Sequence, residues 1–159
     1  FAEVCSLTGL RGRWEKLADK PLTICDTGHN SHGLRYVAQQ LSDLQTHHKG
    51  TLFVVFGMVS DKDVDVVMRL LPATRIANGT TQNVRYCFVQ PDTHRAIPAE
   101  EMLERWQQVH PEDTTAEAIP DIAKALQYVQ SATMPNDIIF IGGSNYVVGT
   151  ALKLYPNTH

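Results

Sequence analysis

Four short apolar runs, at 22–26, 51–57, 84–89 and 138–142, punctuate the chain. They are rich in Val, Ile and Phe and bounded by Gly, Pro or Asp, which predicts β-strands. Hydrophobicity within them is continuous rather than alternating, as expected of parallel strands covered on both faces. Between the runs the period changes to that of a helix. Leu34, Val37, Ala38, Leu41 and Leu44 form one stripe, and Val64, Val67, Met68 and Leu71 a second. Met102, Leu103, Trp106 and Val109 form a third, Ile119, Ile122, Ala123, Leu126 and Val129 a fourth, and Val147, Val148, Ala151 and Leu152 a fifth. Strand alternating with helix predicts a mostly parallel α/β sheet with helices on both sides. Ser60, Asp61 and Pro98 read as ordinary helix starts. The polar segment from Pro72 to Asn83 reads as a surface loop following a short strand at 73–76.

The chain has 159 residues, the size of one domain with a substantial core. Residues 1–10 are expected to be a linker remnant, and a chain that opens on Phe1 is expected to be a piece of a longer protein. No apolar run approaches the roughly 20 residues that span a bilayer, so no membrane partner is expected. A net charge of −3 without clustered Lys or Arg argues against a nucleic-acid partner, which needs a basic stripe. Cys25 and Cys87 sit in apolar strand-like runs, where a thiol behaves as a small buried hydrophobe. With Cys5 they make an odd number, which suits a reducing, cytoplasmic setting.

Polar chemistry concentrates where strands end. Asp26-Thr27-Gly28-His29-Asn30 follows the first run and Gly142-Gly143-Ser144 the last, and open α/β sheets bind ligands at such carboxyl ends. Asp26 can accept ribose hydroxyls or cap its own turn through Asx-type bonds. His29 can donate to a carboxylate or be a surface histidine without a task. Asp26, His29 and His32 also form an acid-x-x-His-x-x-His series that admits a zinc reading, although the spacing does not put all three on one helical face. Ser144 heads a helix, where amides attract anions, or simply caps it. Arg11 and Arg13 flank a glycine and can reach phosphate oxygens. Asp61, Lys62 and Asp63 read as a solvated first turn, and His47-His48 as a solvated helix end. There is no Gly-x-x-x-x-Gly-Lys-Ser/Thr loop and no Gly-x-Gly-x-x-Gly fingerprint, so neither device cradles a nucleotide here.

Taken in order, Gly12-Arg13-Trp14, Asp26-Thr27-Gly28-His29-Asn30, Phe56-Gly57-Met58 with Asp61-Lys62-Asp63, and Gly143-Ser144 resemble the carboxyl-terminal domain of the folylpolyglutamate synthase and dihydrofolate synthase family, within the Mur ligase superfamily. The resemblance implies a Rossmann-like three-layer sandwich of the Mur ligase C-terminal type over residues 1–159. It further implies a preceding ATPase domain, absent from this chain, that carries the phosphate loop and most contacts to Mg2+ and folate. The activity implied is ATP-dependent ligation: a folate or pteroate carboxylate is phosphorylated, and glutamate's amine attacks the acyl phosphate. Position by position, Arg13 matches an arginine that reaches ATP's phosphates and Asp26 an aspartate on its ribose. His29 and Ser144 match residues that hold glutamate. No catalytic or metal-binding residue is carried over. Relatives often have proline where this chain has Ser31, which is expected to cap instead, and Pro-Gly-Arg where it has Arg11-Gly12-Arg13. The segment Asn78–Asn83 is longer than the resemblance requires. The competing readings are the C-terminal domain of a cell-wall precursor ligase of the same superfamily and a ligand-binding module without chemistry.

Overall fold

The structure is a computed structural model that describes residues 12–60 and 63–155; the expected linker at 1–10 and the cysteine at position 5 lie outside them. A six-stranded sheet runs in the order β1-β2-β8-β3-β6-β7. Its strands are β1 (Glu15–Asp19), β2 (Leu22–Asp26), β3 (Leu52–Phe56), β6 (Val84–Phe88), β7 (Glu117–Ala118) and β8 (Ile138–Gly142). All neighbours are parallel except β1, which runs antiparallel to β2 at the edge. The helices are α1 (Ser31–His47), α2 (Val64–Leu70), α3 (Ala99–Val109), α4 (Ile122–Ala132) and α5 (Asn145–Leu154).

Strands β3 and β8 are buried along their whole length, so alternate residues serve opposite faces. Val54, Phe56, Phe140 and Tyr86 pack with α1, α2 and α3 in one core. Phe53, Val55, Ile139 and Ile141 pack with α4 and α5 in the other. The helical stripes supply the partners: Leu34, Val37 and Leu41 from α1, Met102 and Trp106 from α3, and Val147, Val148 and Ala151 from α5 are all buried. The three-layer expectation is thereby met.

After Pro72 the short strand expected at 73–76 is present, shifted to 75–77, but the loop expected to follow it differs. Arg75–Ala77 (β4) and Thr80–Gln82 (β5) pair antiparallel, closed by Asn78 and Gly79 with φ of 53° and 76°. Two positive φ values in an Asn-Gly pair make a type I′ hairpin turn. The added length is therefore an ordered ribbon, with Arg75 bonded to Gln82 and to Ser42 of α1.

Cys25 and Cys87 are buried thiols, in no disulfide among the described residues. Burial, aided by the Glu117 carboxylate, pushes the Cys87 thiol from 9.0 up to about 12. The neutral thiol's contribution to stability is complete below pH 9.0 and is lost as pH rises from there towards 12. We expect Cys25 and Cys87 to resist an aromatic disulfide reagent at pH 8 in the native chain and to react at once in urea; rapid native labelling of either would contradict their placement.

Candidate functional site

Three parallel strands end level with one another. Asp26 of β2 stands opposite Gly142 of β8, and Gly142 opposite Phe56 of β3. The loops that follow are drawn together because Gly57 N–H donates to the Gly142 carbonyl at 3.2 Å. Gly143, at φ +104°, passes so close to Gly57 that a side chain there would strike its carbonyl. The two strand-to-helix mouths read from the sequence thus open at the same end of the sheet.

Asp26 organises the first mouth. It is 5% exposed; Oδ1 accepts the Gly28 N–H at 2.7 Å and Oδ2 the Trp14 N–H at 2.9 Å. The first is the Asx-type bond that competed with a ligand role, and the structure contains it. Each carboxylate oxygen has two acceptor sites, so one remains on each for a ligand. The second bond pulls the Gly12-Arg13-Trp14 turn onto the strand end, helped by Thr27 N–H donating to the Gly12 carbonyl at 2.8 Å. Trp14 sits at φ 47°, unusual for a bulky residue, with its indole 6.1 Å from the Phe140 ring. Its backbone is held in that conformation by Asp26, which presents Arg13 to solvent.

Helix α1 begins at Ser31, but the cap comes from Asn30, whose side-chain oxygen accepts the Gly33 N–H at 2.9 Å. The capping role expected of Ser31 is thus corrected. Ser31 N–H instead donates to Asp63 Oδ2 at 3.1 Å. That bond holds the Asp63 carboxyl below its usual range and corrects the reading of Asp63 as merely solvated; Asp61 and Lys62 lie outside the described residues. Asp63 joins the start of α2 to the turn carrying His29. The signal was an acid in a strand-to-helix loop, but its partner, 32 positions away, follows only from β2 and β3 flanking β8.

A cleft of about 740 Å³ opens between the Arg13 turn and α1, with Arg13, Asp26 and Gly28 on one side. His32, Arg35, Tyr36 and Gln39 of α1 form its other wall. His29 is exposed on the adjoining turn, its Nδ1 3.3 Å from the Thr27 carbonyl. A carbonyl only accepts, so that nitrogen carries the proton and Nε2 points onward. Ser144 is 2% exposed, and its Oγ accepts the Val147 N–H at 3.2 Å as the N-cap of α5. The four residues singled out therefore share one end of the sheet, with Arg13 and Asp26 in the cleft and His29 and Ser144 outside its wall. Among the described residues no three His, Cys, Asp or Glu side chains are grouped to hold a metal ion, and the zinc reading of Asp26, His29 and His32 finds no assembled ligand set. Nor does any described helix have the length and apolarity to cross a membrane.

The fold has counterparts among known proteins. The chain is 27% identical over 158 residues to a dihydrofolate synthase/folylpolyglutamate synthase of Buchnera aphidicola, covering 99% of this chain and 33% of the relative. Its fold matches the crystal structure of a bifunctional folylpolyglutamate synthase/dihydrofolate synthase from Yersinia pestis, complexed with AMPPNP and a Mn ion. That match has a TM-score of 0.72 at 22% identity, over 90% of this chain and 30% of that one. A second structure of such a bifunctional enzyme, with Mn, AMPPNP and L-glutamate bound, matches with a TM-score of 0.73 at 22% identity, over 92% of this chain and 32% of that one. The chain thus spans about a third of the length of these relatives. The model of the glutamate ligase domain of Mur ligases covers residues 12–145, from the Arg13 turn to the head of α5, and the chain belongs to that family.

Proposed function

We propose that this chain is the C-terminal, ATP- and glutamate-contacting domain of an ATP-dependent ligase that adds L-glutamate to dihydropteroate or to folates. The observation that carries the reading is the cleft at the level ends of β2, β8 and β3, which puts a cationic Arg13 beside a buried, amide-held Asp26. A nucleotide presents both complements: phosphate oxygens for a guanidinium and a hydroxylated ribose for the open acceptor sites of a carboxylate. The similarity to enzymes solved with AMPPNP, Mn and L-glutamate supports the same reading.

In the proposed reaction the acceptor carboxylate attacks the γ-phosphorus and ADP departs. Glutamate's amine then attacks the acyl carbon, and phosphate leaves. Arg13 and Asp26 orient the nucleotide. His29 and Ser144, on neighbouring loops at the same sheet end, receive the incoming glutamate, Ser144 through a hydroxyl hydrogen that its capping bond leaves available. The described residues assemble no magnesium site, so no step is assigned to the ion here. The phosphate loop belongs to a preceding ATPase domain, and the 159 residues alone are expected to form no product.

The test is a pair of substitutions in the full-length protein. Arg13→Ala should raise the KM for ATP about tenfold with little change for glutamate, and Ser144→Ala should raise the KM for glutamate more than that for ATP. Equal shifts for both substrates in both variants would contradict the assignment. Turnover of a nucleotide-linked muramyl peptide in place of dihydropteroate would move the protein to the cell-wall branch.

A further inference from the structure

Asp63 stands at the N-cap position of α2, yet its side chain makes no capping bond to that helix. An aspartate there ordinarily accepts an amide of its own first turn, from an extended backbone. The backbone of Asp63 has φ −89° and ψ 4° instead, and its carboxylate turns to the head of α1, where Ser31 N–H donates to Oδ2 at 3.1 Å. The Ser31 side chain adds a second hydrogen bond to the same carboxyl. Asn30 already serves the Gly33 amide, so Asn30 and Asp63 satisfy different orphan donors of one helix.

The segment that leads from β3 to Asp63 is fixed on its other sides. Gly57 N–H donates to the Gly142 carbonyl at 3.2 Å, Ser60 N–H to the Arg95 carbonyl at 2.7 Å, and Ile97 N–H to the Met58 carbonyl at 2.9 Å. At its start the segment lies against Gly143, the residue before Ser144. At its end Asp63 holds Ser31, two residues after His29. His29 and Ser144 precede helices that pack on opposite faces of the sheet, α1 in one core and α5 in the other. The chain between Gly57 and Asp63 is thus tied to both of the loops that carry them.

Resting on the assignment of His29 and Ser144 to glutamate, we propose that Asp63 is a positioning residue for that substrate: through its bond to Ser31 it holds the His29 turn at a set distance from Ser144. Glutamate meets both loops in one bound pose, and a small misplacement of a holding group is costly. A turn released from Asp63 weakens glutamate, while the nucleotide keeps Arg13 and Asp26. The proline often found at position 31 in the resembled family has neither an N–H nor a hydroxyl, so this link depends on the serine of this chain.

The experiment uses the full-length protein. Asp63→Ala should raise the KM for glutamate at least about fivefold, with the KM for ATP and kcat held within about twofold. Asp63→Asn keeps an oxygen that accepts the Ser31 N–H and should restore most of the glutamate affinity. Ser31→Pro removes both donors while suiting the first turn of a helix; it should match Asp63→Ala, and combining the two should add nothing further. A KM for glutamate left unchanged by Asp63→Ala, with or without a lower urea midpoint, would overturn the proposal if Ser144→Ala raises that KM. So would an equal rise in the KM for ATP, or an effect of Asp63→Ala that persists in the Ser31→Pro background. If His29→Ala and Ser144→Ala are also silent towards glutamate, the assignment of that substrate to this end of the sheet fails, and the role of Asp63 fails with it.

Discussion

Gly143→Ala is expected to lower the stability of the chain by at least about 3 kcal/mol. Two independent penalties meet at this position. The backbone has φ +104°, which an L side chain rarely adopts, and the added Cβ would strike the Gly57 carbonyl and lie 3.0 Å from a ring carbon of Phe56. Those neighbours end β3, a fully buried central strand, so relief requires the β3 and β8 mouths to part. Gly79 provides the control: its φ is +76° but nothing lies within 4 Å of a Cβ built there. Gly79→Ala should lose only the backbone preference, about 1 kcal/mol. In urea unfolding, with a slope near 2 kcal/mol per M, Gly143→Ala should move the midpoint down by about 1.5 M and Gly79→Ala by about 0.5 M. Equal shifts would mean that the close approach of the two mouths is not as described.

Asp26→Ala should have the second largest effect, and on two readouts together. It leaves the Trp14 and Gly28 amides without their acceptor. A fully buried donor left unsatisfied costs about 1–3 kcal/mol; both of these amides are part-buried, so a combined loss of about 2–4 kcal/mol is expected. Asp26→Asn is not a mild replacement, because one of its two ends becomes a donor facing a donor. Losing the bond to Trp14 also releases the turn that presents Arg13, so the KM for ATP should rise at least tenfold in the full-length protein. Loss of stability without a change in the KM for ATP would leave Asp26 as a turn cap only.

The sheet was legible because its central strands are so apolar. Leu52-Phe53-Val54-Val55-Phe56 and Ile138-Ile139-Phe140-Ile141 lack the alternation of a half-exposed strand, and the structure buries both. The edges were not legible. Glu15–Asp19 alternates poorly and buries only Leu17, and Glu117–Ala118 has two residues, too few for a periodic signal. The hairpin at Arg75–Gln82 carried its Asn-Gly turn openly, but polar strands packed on a helix end resemble a loop by composition. At the site, Arg13 and Asp26 were identified by resemblance and Ser144's capping by its place before a helix. The cleft wall of Tyr36 and Gln39 was hidden because an exposed helix face reads as solvated until something stands opposite it. Here that something is Arg13, carried across by the bond between Trp14 and Asp26.

The central claim is that the ends of β2 and β8 serve one reaction. A crystal structure of the full-length protein with AMPPNP and L-glutamate tests it most directly. Phosphate oxygens are expected within hydrogen-bond distance, about 3 Å, of the Arg13 guanidinium, with ribose hydroxyls on Asp26 and a glutamate carboxylate at His29 and Ser144. Nucleotide held wholly by another domain, with Arg13 and Asp26 facing solvent and glutamate bound away from the head of α5, would contradict it.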